Sequence, residues 1–146
     1  MIIRLKCIAL IFFGLTSMCH AAVIPYTSLE KSHFANIRQI TLCQDPQQVA
    51  KHDYRLIQAY IHSGDMIYVD AIDYGANGLE RVQGWGFDEI NHDHNEYTIE
   101  QVSCVIKKEV LEIQGKVNGS GHDDTHVFAF TIHLNRKTGT YQYTTH

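Results

Sequence analysis

From Asp65 to the C-terminus the chain is a succession of short segments rich in branched and aromatic residues, each closed by turn-forming ones. The stretch "EVLEIQGKVN" sets Leu111, Ile113 and Val117 on one side and Glu112, Gln114 and Lys116 on the other. "HVFAFTIHL" does the same with Phe128, Phe130, Ile132 and Leu134. A period of two is the signature of a strand with one face buried, because successive side chains leave a pleated backbone on opposite sides. "MIYVDAIDY", "RVQGWGFDEI" and "TYQYTT" continue the pattern, and Trp85 and Phe87 fall on one face. In "EYTIEQVSCVI" the alternation slips between Ile99 and Val102, which predicts a β-bulge. The separators "GANG", "NHDHN", "KK", "GSGHDDT" and "NRKTG" are short. Consecutive strands joined by short turns form an antiparallel meander, and one face of such a sheet needs an apolar cover.

The preceding segments are read as that cover. "DPQQVAKHDYRLIQAYIHSG" opens with Asp45 as a helix N-cap, Pro46 in the first turn and Gln48 at the capping-box position, and closes on Gly64. Val49, Ala50, Tyr54, Leu56, Ile57, Tyr60 and Ile61 cover an arc of about 160° at helical spacing, broken only by Asp53. A rival reading makes "RLIQAYIHSGDMIYVDAI" a hairpin turning at Ser63–Gly64; the cap and the stripe favour the helix. "SLEKSHFANIRQIT", capped by Ser28, is read as the other helix, with Leu29, Phe34, Ile37 and Ile40 on one stripe. The expected fold is therefore α+β: two N-terminal helices packed on one face of a five- to six-stranded antiparallel meander. Cystatin-like and cone-shaped domains of that architecture hold a pocket between helix and sheet. That comparison rests on architecture alone and selects no function.

The start of the chain bears on compartment. Arg4 and Lys6 precede the apolar run Cys7 to Leu15, and the small-residue segment "TSMCHAA" follows. This is the pattern of a signal peptide over residues 1–22, cleaved after Ala21 or Ala22, leaving residues 23–146 as a single periplasmic or secreted domain. The run is well below the roughly twenty apolar residues of a membrane-spanning helix, so no membrane span is expected after cleavage. Loss of Arg4 and Lys6 leaves 10 basic against 16 acidic residues, a net charge of −6. An acidic chain without a basic run is a poor nucleic-acid binder. Cys7 and Cys19 fall in the leader, so Cys43 and Cys104 are expected to form a disulfide in an oxidising compartment.

Two loops carry the most conspicuous chemistry. "INHDHNE" holds His92, His94 and Glu96, and "GHDDTH" holds His122, Asp124 and His126. In a meander alternate turns share one rim, two strand spacings or about 10 Å apart. Four imidazoles with Asp124 or Glu96 match the donor set of Zn²⁺, and imidazole also suits Cu²⁺. The competing reading is two polar turns, since Asn, Asp, Gly and Ser favour turns for backbone reasons. Asp53, on the apolar stripe of the expected helix, is a candidate acid/base residue, with His33 nearby. Trp85, Phe87, Tyr141 and Tyr143 are core residues or a binding face, and a terminal strand edge can accept a partner strand. No motif for nucleophilic catalysis or phosphate cradling is present. The reading that results is an exported, non-catalytic binding protein for a protein partner, of inhibitor or immunity type, or for a small apolar ligand. The alternatives are a divalent-metal binder using the histidine loops and a pocket enzyme using Asp53.

Overall fold

A computed structural model describes residues 19, 20, 22, 23, 36–61, 64–91, 96–120 and 125–146. These residues form ten strands: β1 Cys19–His20, β2 Ala22–Val23, β3 Ile37–Leu42, β4 Asp53–Ile61, β5 Gly64–Gly75, β6 Gly78–Gly86, β7 Tyr97–Lys107, β8 Val110–Ser120, β9 Thr125–Asn135 and β10 Thr140–Thr145. Two four-stranded antiparallel meanders, β3 to β6 and β7 to β10, make the two sheets. β2 adds to the edge of β6 and β1 to the edge of β10.

The second meander is as the alternation demands. Leu111, Ile113, Val117, Phe130, Ile132 and Leu134 are buried on one face, while Gln114 and Lys116 are exposed on the other. The slip in β7 is a register shift between Glu100 and Ser103, with Gln101 at φ 54°. The inward face meets Leu56, Ile67, Val69, Trp85 and Phe87 from the first meander in one shared core.

Neither expected helix is found among the described residues, and the α+β architecture is corrected to two antiparallel sheets that share a core. No α-helix occurs among the described residues. The region read as the long helix is loop to His52 and then β4, paired residue for residue with β5 from Asp53↔Ile72 to Ile61↔Gly64. As in the rival reading, β4 and β5 pair as a hairpin, with Ile61↔Gly64 the last pair among the described residues. Leu56, Ile57, Gln58 and Ala59 are all buried, so the segment is covered on both faces. A strand covered on both faces reads as a continuous apolar run, and over a short window such a run also satisfies a helical stripe. Asp45 does bond the backbone ahead of it: its carboxylate accepts from the amides of Val49 at 3.1 Å and Ala50 at 2.9 Å. That chemistry closes a loop, with Gln48 at φ 52°, and propagates no helix. The other expected helix ends in strand β3, and its first part, residues 28–35, lies outside the described residues. The cover for the meander is thus a second sheet, and there is no helix–sheet pocket among the described residues.

Two fastenings hold the sheets together along one side. Cys43 and Cys104 form the expected disulfide, with Cα atoms 4.8 Å apart. Beside it Gln44 makes a parallel bridge to Val105, donating to Cys104 O at 3.0 Å and accepting from Ile106 N at 2.7 Å. Towards the other end of β7, Ile99 donates to the buried Asp65 at 2.8 Å and accepts from Gln58 Nε2 at 2.8 Å. Arg38 faces Asp65 at 3.2 Å. No helix among the described residues is long and apolar enough to cross a membrane.

Candidate binding site at the histidine-loop end

β7 begins and β8 ends at the same pole of their sheet. Tyr97 pairs with Gly119, and Gly119 pairs with His126. The bases of the two histidine-containing loops are therefore neighbours across the sheet, as a meander requires. His92, His94, His122 and Asp124 lie outside the described residues. Glu96 is exposed, and His126 enters only through its backbone partner. Among the described residues no group of three or more His, Cys, Asp or Glu is placed to hold a metal ion.

What the described residues do assemble at this pole is an aromatic depression of about 530 Å³, lined by Glu89, Tyr97, Phe128, Tyr143, Thr145 and His146. Tyr97 opens β7, Phe128 lies near the start of β9 and Tyr143 near the end of β10, so strand pairing brings three distant aromatics together. Tyr97 and Phe128 stand as two nearly perpendicular walls, with centroids 5.7 Å apart and planes at 82°. Tyr143 is braced from behind by Phe130, at 6.2 Å and 27°.

Glu89 comes from the turn after β6, and that turn is pinned. Phe87 and Ile90 are buried in the core, and Phe87 O accepts from Ile90 N at 3.1 Å and Asn91 N at 2.8 Å. Asn91 then clamps the backbone of Ile67 with both ends of its amide: Oδ1 accepts at 2.8 Å and Nδ2 donates at 2.7 Å. The Glu89 carboxylate, held this way, accepts a hydrogen bond from the Tyr141 hydroxyl. Burial, with the nearby charges of Tyr97 and Glu89 adding to it, pushes the Tyr143 hydroxyl up to about 12. The Tyr141 hydroxyl is also raised, first by burial and then by its bond to Glu89. Both phenols therefore stay neutral donors across the physiological range.

The remaining candidates are placed elsewhere. Asp53 is exposed at the start of β4, and its expected place on an apolar helical stripe is replaced by a strand end. His33 lies outside the described residues. Trp85 and Phe87 are fully buried core residues and neither lines the depression nor reaches solvent. Tyr141 is buried and Tyr143 half-buried. Glu89, Tyr97 and Phe128 were not singled out from the sequence. The only signal for them is that Tyr97 and Phe128 are inward-facing aromatics at strand ends beside the two polar loops.

Three aromatic rings, two of them phenols, and a carboxylate bring aromatic quadrupoles and a negative charge to one small volume. That chemistry attracts a cation with an apolar body. Comparison with protein families, curated proteins and solved structures finds no match, so function is argued from this geometry.

Proposed function

We propose that the chain is an exported, non-catalytic binding protein that uses the Tyr97–Phe128–Tyr143 depression to take a basic side chain of a partner. The observation that carries this reading is the perpendicular pair Tyr97 and Phe128 opening beside Glu89. An Arg or Lys from a partner would lay its stem against the rings and its charge near the carboxylate. Export is supported by the leader-like residues 1–22, and the Cys43–Cys104 disulfide is compatible with an oxidising compartment. Cleavage after Ala21 or Ala22 would remove β1 and free the outer edge of β10. N-terminal sequencing of the exported protein should then read Ala22 or Val23; retention of Met1 would refute the processing.

The test of the binding reading is fluorescence anisotropy of a labelled tri-arginine peptide at low ionic strength. Replacing Tyr97 and Phe128 together by Leu leaves the charge unchanged. It should weaken binding about three- to thirtyfold, the range of one or two cation–π contacts. Undiminished affinity in that variant would mean that general attraction to an acidic protein is all there is.

A second reading, divalent-metal capture by His92, His94, His122, His126 and Asp124, is supported by one observation: the register that makes the two loop bases neighbours. Zn²⁺ titration at pH 7.5 and 5.5 tests it. Imidazole ligands should bind at the higher pH and release at the lower. Unchanged affinity after replacing His92 and His122 together would dispose of it.

A further inference from the structure

The opposite pole carries chemistry of the other sign. Three segments meet there: the loop leading into β4, the β7–β8 turn and the β9–β10 turn. They surround a depression of about 520 Å³ whose wall includes Lys51, Lys108, Arg136 and Lys137, with Glu109 as its one carboxylate. Most other cations among the described residues are matched by carboxylates. Arg55 and Arg81 both bond Asp70, Arg38 faces Asp65, and Lys107 bonds Glu112. Here four cations face one carboxylate, which Lys137 already engages. His52, also in the wall, is bonded to Asp73 at 2.6 Å. Asp45 lies near Arg136 and is a second local carboxylate, kept ionised by the amides of Ala50 and Val49, so the four cations are still in the majority. A local excess of positive charge on a chain of net −4 is not a by-product of composition.

Arg136 is also held in place. The Arg136 guanidinium lies over the Tyr54 ring, 5.3 Å from its centroid, and donates to Lys108 O. Arg136 N donates to Glu109 O at 2.9 Å, tying the two turns together. Arg136 Nε–H is buried and has no acceptor among the described residues. An Arg fixed on an aromatic floor, ringed by exposed lysines, suits an oxyanion carrying two or more charges.

We infer that this pole is a binding site for a small multivalent oxyanion, with Arg136 at its floor and Lys51, Lys108 and Lys137 around its mouth. The site is independent of the aromatic depression. It has a built-in reporter, because Tyr54 stacks on Trp85, the chain's single tryptophan, at 6.2 Å. Titration with pyrophosphate and, separately, citrate should change Trp85 fluorescence saturably, with calorimetry giving the same affinity. The two arms distinguish phosphoryl from carboxylate oxygens, and a response to either one supports the site. The triple variant Lys51→Gln/Lys108→Gln/Lys137→Gln changes exposed residues only, and a thermal melt checks that it remains folded. It should bind at least about tenfold more weakly, since each removed charge loses a close Coulomb attraction. Equal affinity in that variant, or a wild-type response reproduced by sodium chloride at matched ionic strength, would overturn the inference.

Discussion

Gly115 sits on the inward face of β8, where its neighbours Leu111, Ile113 and Val117 all bury large side chains. It is small because Phe130 fills the space: a Cβ there would meet the Phe130 ring at 2.7 Å and Val102 Cγ2 at 2.9 Å. Gly115→Ala should therefore destabilise the fold by about 1–3 kcal/mol, the usual cost of overpacking. An unshifted urea midpoint would show that the ring can move aside freely. Tyr143 makes a prediction about pH. Its folded pKa, about 12, lies above the ordinary value of 10.0. Between these pH values the unfolded chain releases a proton that the folded chain keeps, so stability falls as pH rises through that window. The contribution is fully present below pH 10. Tyr143→Phe should flatten the alkaline decline in melting temperature. A decline as steep as in the parent protein would remove the phenol from the account.

At the level of elements, the strands with one wet and one dry face were legible, and so was β5 from its branched and aromatic residues, whereas β4, buried on both faces, was not. β8 and β9 alternate cleanly because their outer residues meet solvent, and even the bulge in β7 left its mark as a slip of one residue. β4 carries Arg55, Ile57 and Ala59 on the face away from the shared core, and Ile57 and Ala59 are themselves buried with Met66 and Tyr68. With apolar residues on both faces the period of two vanishes, and a sound N-cap residue, Asp45, pulled the reading towards helix. Hairpin pairing with β5 and burial in the shared core overrode the helical signals. The disulfide was legible because only two cysteines remain once the leader is set aside. It closes a span of 61 residues, so replacing Cys43 and Cys104 together by Ala should cost about 4 kcal/mol on a chain-entropy account. Chemical denaturation measures this; a loss below about 1 kcal/mol would mean that Gln44 and its bridge to Val105 already fix the sheets.

For the molecule as a whole, the meander logic brought the two histidine-loop bases to one pole without naming the residues that line the depression there. Alternate turns had to share a rim, and the pairing of Tyr97, Gly119 and His126 puts the two histidine-loop bases together. The aromatic depression beside them could not be read in advance, because Glu89 reaches it from the other sheet on a turn whose course is set by Asn91 and Ile67. The basic pole was hidden for a similar reason: Lys51, Lys108 and Arg136 are far apart in sequence, and net charge averaged them away. The most direct test of the binding reading is two-dimensional NMR of isotope-labelled protein titrated with butylguanidinium, with butanol as the uncharged control. The cation, but not butanol, should shift the signals of Tyr97, Phe128, Tyr143 and Glu89 while those around Tyr54 and Arg136 stay still. Shifts of equal size at both poles, or an equal response to butanol, would contradict it.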